Sequence, residues 1–150
     1  MNKQLNDISA IDRFAESNKF PTSRISILLA EDNAIAQRLS LEKLKSIGYK
    51  CDTAKDGEQA LQMALSKSYD LILMDIHMPV MNGIKSAEKI SQNAQENQPV
   101  IVALTSDTSS QTRNDCFAAG MRDFMPKPLQ IDHLKSFITK VWSRQFNQEN

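Results

Sequence analysis

The sequence predicts an α/β fold, with a parallel sheet of five strands covered on both faces by five helices. From Arg24 to Arg144, short apolar runs alternate with helical patterns, which is typical of βαβ units. The apolar runs are nearly continuous, as they are in strands buried on both faces. The chain has 150 residues, of which 41% are apolar and 24% charged, so it suits one domain with its own core.

Each unit has its own signals, in chain order. The first strand is the run ISILLA, and the helix after it has Asp32 or Asn33 to cap its start and Gly48 to end it. The second strand is weaker, but its helix carries Ala and Leu residues on one side. The third and fourth strands are strongly apolar, and the fourth helix is closed by Gly120. The fifth strand is short, and an apolar stripe that reaches Val141 marks the last helix. The predicted strands are 25–30, 50–54, 70–74, 100–104 and 122–125, and the predicted helices are 33–47, 57–67, 83–92, 109–119 and 130–144.

Crossovers in such a sheet are right-handed, and the expected strand order is the flavodoxin-like, doubly wound 2-1-3-4-5. The domain is expected to cover 24–145, with a tail at 146–150. Before it, residues 1–23 place an apolar residue at every third position from Leu5 to Phe14. This segment is either a mobile polar tail or a short amphipathic helix that ends before Pro21.

The bulk composition excludes several classes. The formal net charge is zero, so no basic face asks for direct nucleic-acid binding. No apolar run approaches the roughly 20 residues of a membrane span, and the polar first twenty residues do not form a signal peptide. A cytoplasmic location is therefore expected. Cys51 and Cys116 are isolated and are interpreted as small apolar residues without chemistry.

Four of the five strands end on polar residues that can contact a phosphoryl group or a metal. Taken singly, each has an ordinary role, as a helix cap, a turn former or a solvated lysine. Together they should converge, because parallel strands end at the same edge of a sheet. These residues are Glu31 and Asp32 after the first strand, Asp75 after the third, Thr105 after the fourth and Lys127 after the fifth.

Three carboxylates at one edge would repel each other unless a cation joins them. Mg²⁺ prefers oxygen ligands and uses one or two carboxylates together with phosphate oxygens and water. Asp32 and Asp75 fit that pattern, and Glu31 can act through water. Lys127 supplies a positive charge for a phosphate oxygen and Thr105 a hydroxyl donor.

These motifs resemble those of response-regulator receiver domains in two-component signalling. The resemblance rests on the pair Glu31-Asp32, the run MDIHMPVMNG around Asp75, ALTS ending at Ser106 and DFMPKP ending at Pro128. It covers about Arg24 to Arg144. The stretch AAGMRDFMPKPL is similar to receivers of hybrid sensor histidine kinases.

The resemblance implies that Asp75 is the phospho-acceptor. It implies that Asp32, Asp75 and the backbone carbonyl of His77 bind Mg²⁺ (or Mn²⁺), with Glu31 assisting. No organic cofactor is expected. The role is that of a signalling domain, which catalyses only its own phosphotransfer and dephosphorylation.

The resemblance also implies that Thr105 and Lys127 contact the phosphoryl group and that the Lys127-Pro128 bond is cis. Phe124 falls on the switch aromatic position. It lacks the hydroxyl of tyrosine, so a switch formed with Thr105 would work by ring packing alone. The surface expected to change is that of the fourth helix, fifth strand and last helix.

Two positions near the acceptor admit alternatives. His77 either contributes only its carbonyl, or its side chain controls the attack of water. Asp107, two residues after Thr105, adds a negative charge close to the site and is expected to tune the lifetime of the phosphorylated form.

The expected partners are a sensor histidine kinase or a histidine phosphotransfer protein, and a homodimer on phosphorylation. If the chain is complete, its output is protein contact or onward transfer; if it is a fragment, it is the terminal receiver of a hybrid kinase. A haloacid-dehalogenase-type phosphatase is a second class, but its general acid would be an Asp where His77 stands. A third class is an interaction module that works without phosphorylation.

Overall fold

The computed structural model describes residues 25–93 and 98–148. The strands form one parallel sheet in the order β2-β1-β3-β4-β5, which confirms the predicted fold and strand order. The segment 1–23, predicted as a tail or short helix, lies outside the described residues. The strands are β1 (Ile27–Ala30), β2 (Cys51–Ala54), β3 (Leu71–Asp75), β4 (Val100–Thr105) and β5 (Asp123–Pro126). The helices are α1 (Ala34–Ser46), α2 (Gly57–Ser66), α3 (Gly83–Asn93), α4 (Ser110–Ala118) and α5 (Ile131–Gln148).

Most element bounds lie within two residues of the predicted ones. The largest difference is in α5, which runs to Gln148 instead of ending at Arg144 and so enters the predicted tail at 146–150. The prediction ended the helix soon after its apolar stripe stops at Val141. A helix satisfies its backbone by bonds within itself and can continue past the end of an apolar stripe.

The ends of the helices follow the capping signals in the sequence. Asn33, and not Asp32, caps α1: its side chain accepts a hydrogen bond from the amide of Ala36 at 2.9 Å. Gly48 and Gly120 take the left-handed conformation just after α1 and α4, with φ of 94° and 97°, where a residue with a Cβ would be strained. Because Asn33 has the capping role, Asp32 is left for the edge of the sheet.

The core lies on both faces of the sheet. One cluster includes Leu28, Ile72 and Met74, and the other includes Leu29 and Leu73. Successive residues of a strand point to opposite faces, which is why the buried strands need continuous apolar runs. Strand β3 is the centre of the sheet, and all of its residues are buried. It therefore delivers Asp75 to the middle of the carboxyl edge.

Among the residues that the structure describes, no helix is long and apolar enough to cross a membrane.

Candidate functional site

Three acidic side chains meet at the carboxyl edge of β1 and β3. Strands β1 and β3 pair in parallel with Ala30 opposite Met74, so the residues that follow them lie side by side. Glu31, Asp32 and Asp75 each offer a carboxylate oxygen, and these oxygens lie within 4.8 Å of one another. Glu31 and Asp75 are buried while Asp32 is exposed. Two buried carboxylates need compensating partners.

The partner of both buried carboxylates is Lys127, at the end of β5. Its Nζ lies 2.5 Å from Glu31 Oε1 and 3.0 Å from Asp75 Oδ2. The amide of Lys127 also donates to the carbonyl of Thr105 at 2.9 Å, which holds the lysine at the end of the β4–β5 pair. The lysine thus reaches across the sheet edge to the residues of β1 and β3.

Burial and charge act together on these groups. Burial raises the pKa of Glu31, and its contact with Asp75 raises it further, against the opposing effect of Lys127. Burial alone would lower the pKa of Lys127, but its hydrogen bonds to Glu31 and Asp75 outweigh that cost and raise it. Lys127 therefore keeps its proton, and three carboxylates face one ammonium. An oxygen-only donor set with excess negative charge fits a hard divalent cation such as Mg²⁺.

The hydroxyl of Thr105 is buried beside this cluster. Strands β3 and β4 pair with Asp75 opposite Leu104, so Thr105 is the next residue along the edge. Its Oγ1 accepts a hydrogen bond from the amide of Asp107 at 3.0 Å. The hydroxyl proton remains able to donate to another acceptor.

Asp107 is held by the start of α4, which the sequence reasoning missed. Its carboxylate accepts from the Thr112 hydroxyl at 2.6 Å and from the amide of Ser109 at 3.1 Å. The bond from Thr112 is the first cause that lowers the pKa of Asp107, followed by the bonds from Ser109. Ser109 caps α4, because its side chain accepts from the amide of Thr112 at 3.3 Å. A serine at the start of the predicted helix was therefore the sequence signal for where α4 begins.

His77 lies next to Asp107 at the mouth of the site. Its Nε2 is 3.9 Å from Asp107 Oδ2, and the two side chains are 68% and 39% exposed. The amide of His77 makes a long contact of 3.4 Å to Asp75 Oδ1. The imidazole thus follows the end of β3 closely along the chain and is open to solvent.

Phe124 stands on β5 opposite Ala103 of β4. It is partly buried and packs against the core cluster that contains Met74. Thr105 and Phe124 therefore lie on neighbouring strands, with the aromatic ring already in contact with the core.

The Lys127-Pro128 bond is cis, as predicted.

Two glycines pack closely on the backbone near Asp75, and neither role was predicted. The amide of Gly57 donates to the carbonyl of Met81 at 2.9 Å, and that of Gly83 donates to the carbonyl of Ile76 at 2.8 Å. A Cβ on Gly83 would lie 2.0 Å from the carbonyl oxygen of Asp75, and a Cβ on Gly57 would lie 2.1 Å from that of Met81. The first residue of α3 thus packs on the end of β3, and the first residue of α2 packs on the loop that follows β3.

The central strand ends in a buried aspartate, with two further acids and a lysine beside it. This arrangement is the one expected from the resemblance of the sequence motifs to receiver domains in two-component signalling. The comparisons with known proteins agree. The model of the response regulator receiver domain family matches residues 27–139, so the chain belongs to that family.

One relative is hybrid signal transduction histidine kinase K of Dictyostelium discoideum, 34% identical over 131 residues. The match covers 83% of this chain but only 11% of that kinase. Among solved structures, the receiver domain of sensor histidine kinase PA1611 from Pseudomonas aeruginosa is 36% identical, with a TM-score of 0.70 over 77% of this chain and 95% of that one. It was crystallised with a magnesium ion in its active-site cleft.

A second solved structure is the receiver domain of the Saccharomyces cerevisiae response regulator Ssk1, in complex with the histidine phosphotransfer protein Ypd1. It is 29% identical, with a TM-score of 0.69, and the match covers 77% of this chain and 86% of that one. The chain is therefore a receiver domain of two-component phosphorelay signalling, and in the curated relative such a domain is a small part of a larger kinase.

Proposed function

We propose that this receiver domain accepts a phosphoryl group on the carboxylate of Asp75. The donor is a phosphohistidine of a sensor histidine kinase or a histidine phosphotransfer protein. The observation that carries this proposal is the placement of Asp75: it is buried at the end of the central strand, 3.0 Å from the ammonium of Lys127 and within reach of two more carboxylates. The complex of the Ssk1 receiver with Ypd1 supports the choice of donor.

The transfer is a displacement at phosphorus. An oxygen of the Asp75 carboxylate attacks, the phosphorus–nitrogen bond to the imidazole breaks, and its electron pair stays on the imidazole nitrogen. The Lys127 ammonium can hydrogen-bond an oxygen of the incoming group, and its bond to Glu31 keeps it charged and in place. The proton of the Thr105 hydroxyl is available for a second oxygen. Water later attacks the same phosphorus, the bond from phosphorus to the Asp75 oxygen breaks, and inorganic phosphate leaves the free carboxylate.

The acidic residues would hold a divalent cation. Asp32, Asp75 and the backbone carbonyl of His77 would supply oxygens, and Glu31 would act through water while it pairs with Lys127. When bound, Mg²⁺ or Mn²⁺ would neutralise charge on the transferring oxygens.

The output is a change in the surface formed by α4, β5 and α5. The phosphoryl group adds about two negative charges, toward which the Thr105 hydroxyl turns. That movement frees space under α4, which the partly buried Phe124 ring fills. A protein partner or a second copy of the chain that prefers the new surface shifts the population toward it.

The test is phosphorylation with a small acyl phosphate in the presence of Mg²⁺. Wild-type protein should gain the mass of one phosphoryl group, and the label should be sensitive to hydroxylamine. Asp75→Asn should gain none, whereas Asp132→Asn, which removes an exposed carboxylate of α5, should behave as wild type. Excess chelator or Asp32→Asn should also prevent labelling.

Full labelling of Asp75→Asn would refute the acceptor assignment. Undiminished labelling in excess chelator would refute the metal requirement. A wild-type protein that is folded yet never labelled, by acyl phosphate or by a phosphohistidine donor, would favour an interaction module that works without phosphorylation.

A further inference from the structure

A chain of hydrogen bonds links the buried Thr105 hydroxyl to the first turn of α4. Its first bond joins the Asp107 amide to Thr105 Oγ1 at 3.0 Å. Its second joins the Thr112 hydroxyl, on the helix, to Asp107 Oδ2 at 2.6 Å. Asp107 thus uses its backbone toward the sheet edge and its side chain toward the helix.

The contact between Thr112 and Asp107 is the strongest side-chain tie in this chain of bonds. It is short and its acceptor is a carboxylate, and charge-assisted bonds of this kind are about twice as strong as neutral ones. The other side chain close to Asp107 Oδ2 is His77, but its Nε2 lies 3.9 Å away, beyond hydrogen-bonding distance. The Ser109 hydroxyl lies 3.0 Å from Thr112 Oγ1 and orients it further.

We infer that Thr112 is a positioning residue that couples α4 to Thr105 through Asp107. The inference rests on the proposed function, since the signal it transmits is a phosphoryl group on Asp75. When the Thr105 hydroxyl turns toward that group, the Asp107 amide, which donates to it, moves with it. Because Asp107 is bonded to Thr112, the first turn of α4 moves with it. Without the Thr112 hydroxyl, the loop from Ser106 to Ser109 can adjust while the helix stays in place.

The experiment uses beryllofluoride with Mg²⁺ as a probe that mimics the phosphoryl group on an aspartate. Amide hydrogen exchange of α4 is compared with and without the probe, while ¹⁹F spectra report binding of the probe. In wild-type protein the probe should change the exchange rates of the first turn of α4. The ratio of the exchange rates without and with the probe measures this change. In Thr112→Val the change in that ratio should be at least threefold smaller than in wild-type protein, although the probe still binds.

Two matched variants separate coupling from loss of helix stability. Thr112→Ser keeps the hydroxyl and should restore the wild-type ratio. Thr108→Val makes the same chemical change at an exposed position of the preceding loop and should leave the ratio unchanged. Each ratio is taken within one variant, so fraying present in both states cancels. If Thr112→Val does not fold, Asp107→Asn keeps the shape, weakens the acceptor and should give a smaller loss in the same direction.

The outcomes are distinct. A wild-type response retained in full by Thr112→Val, or by Asp107→Asn, overturns the coupling role. A wild-type protein that binds the probe without any change in α4 also overturns it. If Asp75→Asn binds the probe as wild-type protein does, the proposed function itself is contradicted.

Discussion

Gly83→Ala tests the packing behind Asp75. The added Cβ would lie 2.0 Å from the carbonyl oxygen of Asp75, although real Cβ contacts essentially never fall below 3.0 Å. The backbone must therefore shift by about 1 Å (3.0 − 2.0). The obstructing atom belongs to the central strand, between β1 and β4, and the Gly83 amide is itself bonded to the Ile76 carbonyl. Neither side can move cheaply.

Two opposing effects of Gly83→Ala act on the free energy of unfolding. Replacing Gly by Ala in a helix ordinarily stabilises by up to about 1 kcal/mol, partly through the unfolded chain. Overpacking of a tight site costs about 1–3 kcal/mol, and a collision with backbone should lie at the upper end. We expect Gly83→Ala to lose about 2 kcal/mol, which corresponds to roughly 4–8 °C in Tm for a chain of this length.

Urea unfolding, followed by circular dichroism, measures the loss, with Gln92→Ala at an exposed position of the same helix as the control. Labelling by a small acyl phosphate should also slow, since a displacement of 1 Å in a reacting group can cost about 100-fold in rate. A Gly83→Ala protein as stable as wild type, or more stable, would show that the helix start is not packed as described.

Three further predictions concern single side chains. Lys127→Met should slow labelling of Asp75 about 10- to 100-fold, because it removes a charge-assisted bond worth about 1.5–3 kcal/mol. The substitution also leaves Glu31 without its cation. Labelling time courses measure the rate, and an unchanged rate would contradict the prediction. Thr105→Ala should still be labelled but lose much of the gain in partner affinity on phosphorylation, expected at about five- to 150-fold; titration of both phosphorylated proteins against the partner checks it, and equal gains would exclude the switch. Cys116 is buried and burial raises its pKa to about 11, so at pH 8 an aromatic disulfide reagent should modify it at least about 200-fold more slowly than a free thiol; rapid modification of native protein would disprove its burial.

The fold could be predicted because each signal was local. Continuous apolar runs and capping residues such as Asn33 lie next to the elements that they define. The convergence of Asp75, Thr105 and Lys127 followed from the geometry of parallel strands. The structure brings all three to one edge.

The remaining contacts depend on residues far apart in the chain or on packing. The pairing of Lys127 with Glu31 spans 96 positions, and nothing in either motif indicated that the lysine has a carboxylate as its partner. Val80 takes a φ of 68° although it is β-branched, because a tight turn, in which the Met81 amide bonds the Pro79 carbonyl at 2.7 Å, imposes it. Asp107 was expected to add a nearby charge and to tune the lifetime of the phosphorylated form, but its bond to Thr112 was not predicted, since that bond depends on where α4 begins.

The pairing between Glu31 and Lys127 also joins the first strand of the sheet to the last. Glu31 follows β1, Asp75 ends β3, and Lys127 follows β5, the last strand along the chain. The ammonium that offsets the repulsion between the two buried carboxylates therefore comes from the opposite end of the βα series. A change that displaced β5 would thus alter the charge balance at the end of β1 and β3, although β5 pairs with neither strand.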